Sequence, residues 1–440
     1  MNIRFIKSFF EELNLNNIRY CILRKLNEIL KGEAHDIDMV VDYKKINKVK
    51  DILEKLSKKY GCKKFLELIK DNGNLTAIHF FLIDDAKNIY IVHFDLFKTF
   101  SWNGIVLIDN EKLLEKRICD NGIYLCNRSI EAITKLFSRY LYQGYIKNEY
   151  KNDISLLFLK NETEIKVLIN LFLDNELVEI VYNFVIGKMW EELIGLRMKV
   201  QNSIQKKYCN TILKKCSIKL NNYCFKLKRY VNYKGIMVSF IGTDGTGKST
   251  IIQGLSSILE NTFNDSQIKY YHWRPKYIKG PKKEKISNTM EPHKKKPYNK
   301  VVSLLKFLYF NLDYIIGYWM SVRIHLGKNE LVVFDRYYYD YLVDKYRYRL
   351  DINDTILKIF SHIIPKPNIT FLLIGDAKTL YERKKELPIE EVQKQIDKII
   401  RIKNFIPNSQ VINVNETIDK VLIRVSTDIL EYMRKREENI

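Results

Sequence analysis

Apolar positions recur along this chain with three successive rhythms. Over residues 1–110, short runs read as strands between short helices: HDIDMVVD (35–42), LTAIHFFLID (75–84), IYIVHFDLF (89–97) and GIVLID (104–109). From 111 to 232 the spacing changes to three and four. The segments 130–146 and 164–200 carry the apolar stripe of packed amphipathic helices. From 233 to 440, strands and helices alternate. IMVSFIG (236–242) reads as a buried strand. Further strand patterns follow at 267–273, 330–335, 368–375 and 409–415, with helical patterns at 301–325, 376–386, 390–404 and 416–436. The expected class is α/β: a C-terminal parallel sheet with helices on both faces, preceded by an α+β domain and a helical connector. No internal repeat is present, and the Lys/Pro-rich stretch 275–300 reads as a surface loop.

Composition adds little until charge is counted. With 46% hydrophobic, 12% aromatic and 29% charged residues, the 440-residue chain is globular, with ample material for cores. The net charge of +22 is uneven. Between Leu193 and Thr243 stand eleven Lys/Arg and no acid; from Arg274 to Lys300 stand ten against Glu284 and Glu291. Such patches attract nucleotides, phosphorylated metabolites, nucleic acid or anionic membrane surfaces. The plainer reading is lysine keeping an Ile/Tyr/Asn-rich chain in solution. No charge-free apolar run approaches the ~18 residues of a membrane span, and the N-terminus turns acidic too early for a signal peptide, so a cytoplasmic protein is expected. Seven cysteines without a C-x-x-C pair are expected as buried thiols, not as disulfides or a zinc site.

The sharpest motif is Gly242-Thr243-Asp244-Gly245-Thr246-Gly247-Lys248-Ser249, placed between a predicted strand and a predicted helix. Glycines let the backbone wrap a phosphate, and successive N–H groups with the helix N-terminus supply positive potential. Lys248 is expected on the β/γ-phosphates of ATP and the Ser249 hydroxyl on Mg²⁺, with Thr250 at the same helix start.

GTDGTGKST, with an acid at its third position, resembles the loop of the thymidylate kinase family. VVFDRYYYD (332–340) resembles that family's Asp-Arg-Tyr strand end. PNITFLLIGDAKTLYERKKEL (367–387) resembles its fourth strand and the helix leading to a mobile lid. The resemblance covers roughly 234–440 and implies roles by position. Asp335 would serve Mg²⁺ or orient the acceptor, and Arg336 would grip the acceptor's phosphate. Arg383, with Lys384, would close over the transferring group, and Asp244 would contact a sugar hydroxyl. The family's Arg-Glu-Pro-Gly-Gly segment is replaced here by Tyr271-His272-Trp273-Arg274-Pro275. Arg274 keeps the arginine role, but the acid is missing, so the expected acceptor is not dTMP. A hydroxyl acceptor would need a base, for which Asp244, Asp335 and Asp340 are the candidates. His272 and Trp273 could stack on a ring or simply pack. Domains of this look are often homodimers.

In the first region, Asp36-Ile37-Asp38 puts two carboxylates on one face of a strand, and Asp95 offers a third from another. This pattern resembles the nucleotidyltransferase fold, which implies Asp36, Asp38 and Asp95 as Mg²⁺ ligands; the Gly-Ser turn usual before the first pair is absent, and Arg24 would bind the triphosphate instead. His35, His79 and His93 read as structural. The leading expectation is an ATP/Mg²⁺-dependent phosphotransferase acting on a small phosphorylated or hydroxyl-bearing acceptor, by analogy a sugar or glycan intermediate, fused to a nucleotidyltransferase-like domain. A nucleic-acid end-processing kinase or defence NTPase, and a nucleotide-binding scaffold, are the alternatives.

Overall fold

A computed structural model describes residues 3–24, 26–33, 35–208, 212–259, 262–263, 268–278 and 296–439. Most of the expected Lys/Pro-rich surface loop, and Cys209, lie outside the described residues. The chain forms two compact units, residues 1–83 with 90–225 and residues 84–89 with 226–440.

The first unit opens with α1 (Ile3–Leu15), β1 (Tyr20–Ile22), α2 (Leu26–Lys31), β2 (Asp36–Val41), α3 (Ile46–Lys59), β3 (Lys63–Lys70), β4 (Leu75–Ile83) and β5 (Ile89–Phe97). It continues through β6 (Phe100–Trp102), β7 (Ile105–Ile108), α4 (Asn110–Leu114), β8 (Ile118–Asp120) and β9 (Ile123–Leu125). Seven strands form a mixed sheet of order β3-β4-β5-β2-β1-β9-β8, and β6 pairs with β7 apart from it. Alternation along each strand sorts its residues by face. Ile37, Met39 and Val41 of β2 and Val92, Phe94 and Leu96 of β5 pack with Phe5 and Phe9 of α1 and Leu53 of α3. Asp36, Asp38, His93 and Asp95 therefore take the other face.

The sheet reaches past residue 110, because β9 pairs in parallel with β1 through Ile22 and Leu125. Three-residue strands are too short to show a period in the sequence. Helices then follow: α5 (Arg128–Gln143), α6 (Asn148–Lys160), α7 (Glu162–Ile169), α8 (Asn175–Ile186), α9 (Trp190–Gly195), α10 (Arg197–Tyr208) and α11 (Ile212–Val231). The side chain of Asn127 accepts from Ser129 N to start α5, and Gly144 at φ +76° ends it.

The second unit contains β10 (Ile236–Gly242), α12 (Lys248–Leu259), β11 (Lys269–His272), α13 (Lys300–Gly317), α14 (Arg323–Gly327), β12 (Leu331–Asp335) and α15 (Asp340–Val343). After them come α16 (Asp354–Ser361), β13 (Ile369–Ile374), α17 (Ala377–Arg383), α18 (Ile389–Ile402), β14 (Ser409–Asn413) and α19 (Ile418–Glu438). Its five strands are all parallel, in the order β11-β12-β10-β13-β14, as the α/β alternation predicts. Every residue of the central β10 is buried, which explains its apolar run, interrupted only by Ser239, whose hydroxyl bonds to that of Thr370 on β13. Gly254 of α12 meets α19 so closely that a Cβ there would lie 2.6 Å from Leu422 Cδ1.

The helical run Lys300–Gly327, 28 residues, is long and apolar enough to cross a membrane by length and composition alone. It is not charge-free, since it carries Lys306, Asp313 and Arg323, and its Phe307, Phe310 and Tyr314 belong to the core of this unit. Of the described cysteines, Cys21, Cys62 and Cys126 are buried as expected, whereas Cys119, Cys216 and Cys224 are exposed, because β8 and α11 turn them outward.

Candidate functional site

The C-terminal ends of β10 and β12 build the site, where crossovers leave a parallel sheet in opposite directions. β10 runs into the phosphate loop, which turns at Gly245 (φ +87°) and Gly247 (φ +76°) and enters α12 at Lys248. Gly245 is required for space as well as conformation: a Cβ there would lie 2.5 Å from the Leu380 carbonyl oxygen of α17. Lys248 is buried, and its Nζ donates to the Gly242 and Thr243 carbonyls, each at 2.9 Å. Burial, with the Arg336 guanidinium nearby, brings the Lys248 ammonium down to about 8. Thr246 is buried and donates to Thr243 O at 2.8 Å, while Ser249 and Thr250 open the helix exposed.

Asp335 ends β12 directly beside β10, in register with Phe240. Its Oδ2 accepts from the Tyr270 hydroxyl at 3.1 Å and lies 3.7 Å from His272 Nδ1; its Oδ1 is buried without a partner. Burial works to raise this carboxyl, but His272, Lys248 and Arg336 outweigh it and hold it below its ordinary value. Arg336 sits at φ +68°, a left-handed conformation unfavourable for a side-chain-bearing residue, so the chain is strained at this position. The turn lets Arg336 donate to Asp244 of the phosphate loop at 2.8 Å and to both carboxylate oxygens of Asp340, at 3.1 and 3.2 Å.

Asp244 holds a second guanidinium, that of Arg347. Burial alone would raise Asp244, but Arg336, Arg347 and Lys248 keep its carboxyl well below the ordinary range. Arg347 also donates to Asp344 at 3.3 Å, Gln395 donates to the same carboxylate at 3.3 Å, and the Tyr348 hydroxyl donates to Asp340. Arg347, Tyr348, Asp344 and Gln395 escaped the sequence reading. Only the i, i+3 spacing of Asp344 and Arg347 hinted at a pair, and nothing linked it to a loop a hundred residues earlier.

Other expected residues take different places. Arg274 donates to the fully buried Asp313 at 2.7 Å, and Asp313 also accepts from the amides of Lys276 and Ile278. The guanidinium lies 5.1 Å from the Phe310 ring centre, so Arg274 ties its segment to α13 instead of standing open for an acceptor. Trp273 is buried, stacked on Tyr348 with centroids 4.5 Å apart, which makes it core. Arg383 is exposed at the end of α17 and donates to Val414 O at 3.1 Å; Lys384 pairs with Glu386 at 2.8 Å.

In the first unit, β2 and β5 run parallel with Asp38 beside Asp95 and Asp36 beside His93. The Arg24 guanidinium pairs with Asp38 instead of standing ready for a triphosphate. Asp95 has a buried, unpartnered Oδ1, and burial pushes its carboxyl above the ordinary value. His79 and His93 stack at 4.8 Å, and burial lowers His79. Among the described residues, no group of three or more His, Cys, Asp or Glu is arranged to hold a metal ion. The strands bring Asp36, Asp38 and Asp95 together, with Arg24 paired to Asp38.

Residues 240–421 match the family model described as thymidylate kinase. Among solved structures, the thymidylate kinase of Ehrlichia chaffeensis is 18% identical, with 44% of this chain and 98% of that chain covered and a TM-score of 0.31. No curated protein matches. The C-terminal half of the chain is thus thymidylate-kinase-like over the matched residues 240–421.

Proposed function

We propose that this protein transfers the γ-phosphoryl group of ATP to a small acceptor other than dTMP, carrying a hydroxyl or an anionic group, with a sugar or glycan-related metabolite as the favoured class. The observation that carries this reading is the joining of the phosphate loop to the β12 end through Asp244, Arg336 and Arg347. The loop amides and Lys248 would hold the β/γ-phosphates, and Arg336 would offset charge as it moves. The orphaned Asp335 Oδ1 and the exposed Ser249 suit Mg²⁺, which would neutralise phosphate charge. With Arg274 engaged by Asp313 and no acid in its segment, the dTMP-type acceptor grip lacks its parts.

The test is phosphate transfer from γ-labelled ATP to a panel of dTMP, other nucleoside monophosphates, sugars, sugar phosphates and oligonucleotides, with Lys248→Ala as control. Label on a sugar or sugar phosphate, lost in Lys248→Ala, is the expected result. Label on dTMP refutes the acceptor argument, and label on oligonucleotides favours an end-processing kinase.

For the first unit, the pairing of Asp38 with Asp95 favours a nucleotidyltransferase-like role in which a bound triphosphate draws Arg24 from Asp38. Transfer from α-labelled nucleoside triphosphates, abolished by Asp95→Asn and Asp38→Asn, would support it. Equal incorporation in both variants would remove it.

A further inference from the structure

Helix α11 presents an amphipathic face that the core does not use. At about 100° per residue, Leu213, Cys216, Leu220 and Tyr223, all before the end of the first unit at Phe225, fall within about 80° of arc. All four are exposed, the three large ones between 62% (Leu220) and 82% (Leu213). The helix is held from its opposite side. Ile218 packs on the helical core, and Asn222 donates to the Asn103 carbonyl at 3.0 Å. Exposed Lys215 and Lys219 flank one edge of the apolar face, Lys214 lies beyond the other, and α11 holds no acid.

We propose that α11 lies along an anionic lipid surface, with this apolar face in the headgroup boundary and its lysines on lipid phosphates. A wide apolar face edged by lysine is the pattern that seats a helix in the plane of a membrane. Nucleic acid would answer the lysines but offers nothing to bury a stripe of leucine. A second copy would bring the same lysines together, and the chain from Leu193 to Thr243 contains no acid to meet them.

The experiment is co-sedimentation of the full chain with phosphatidylcholine vesicles, with and without phosphatidylglycerol, at low and high salt. Wild type should bind only the phosphatidylglycerol vesicles and weaken with salt. Leu213→Glu with Leu220→Glu should reduce binding at least about tenfold. Both side chains are exposed, so circular dichroism and ATP binding should stay as in wild type. Lys215→Gln with Lys219→Gln, which leaves the apolar face intact, should lose about fivefold per charge. Equal binding by wild type and variants, or none to either vesicle, overturns the proposal. So does light scattering that finds a dimer which the leucine variants split, or oligonucleotide binding lost in the lysine variants while vesicles are ignored.

Discussion

Raising the pH through about 8 should weaken ATP binding, because Lys248 then loses its proton. The ordinary value of this ammonium is 10.5, and burial beside Arg336 brings it to about 8. At ~1.36 kcal/mol per pH unit, that gap corresponds to about 3 kcal/mol against the charged form. A bound triphosphate adds negative charge at Nζ beyond that of Asp244, Asp335 and Asp340, so Lys248 titrates higher in the complex than in the free protein. Binding above about pH 8 must then take up a proton. Affinity should be flat below that point and fall towards tenfold per pH unit above it, by at most on the order of 300-fold if the ordinary value is restored. The free protein should behave oppositely. Unfolded Lys248 binds a proton up to its ordinary value, so this residue's contribution makes the second unit more stable as pH rises from about 8 towards 10.5. Calorimetric titration with ATP from about pH 7 to about pH 9.5, in buffers of contrasting ionisation heat, reads both affinity and proton uptake. Lys248→Arg, which stays charged, should flatten the curve. A flat wild-type curve, or the same slope in Lys248→Arg, would refute the reasoning.

Two further outcomes separate roles that the sequence left open. Arg274→Ala leaves Asp313, fully buried, with two amide donors among the described residues, and should cost about 3 kcal/mol in urea unfolding; an unchanged midpoint with a raised acceptor KM would return Arg274 to the acceptor. Asp95→Asn should stabilise the first unit at neutral pH. The folded carboxyl titrates above its unfolded value, so the native state loses stability as pH rises through that window, and the gain should vanish below about pH 4. Urea unfolding at both pH values checks it, and a loss of stability at neutral pH would contradict it.

The C-terminal sheet was legible because its three inner strands β10, β12 and β13 are largely apolar runs between helical stripes, and IMVSFIG could pack nowhere but the centre. The phosphate loop was legible because its chemistry is local: glycine, lysine and serine act within eight residues. What escaped detection depends on chain distance. Arg347 reaches Asp244 through a single bond across 103 positions, and no local pattern marks such a pair. Arg274 illustrates the converse. A motif position implied an acceptor contact, but the sequence does not show that Asp313 lies on the inward side of α13, where a buried carboxylate needs a cation. In the first unit, the alternation of β2 and β5 correctly set the carboxylates on one face; their register placed Asp38 against Asp95, and Arg24 could be named but not its partner.

The close approach of Gly254 to Leu422 has a consequence for the order in which the protein is made. The phosphate loop and the helix it feeds leave the ribosome well before α19, against which that helix rests. Until residues 418–438 emerge, α12 has its motif but not its back wall, so a nascent chain stalled before α19 would display the complete loop without the support that holds it. The packing behind α12 is thus completed by the last helix described, and a bulkier residue at Gly254 or Leu422 would press the two helices apart.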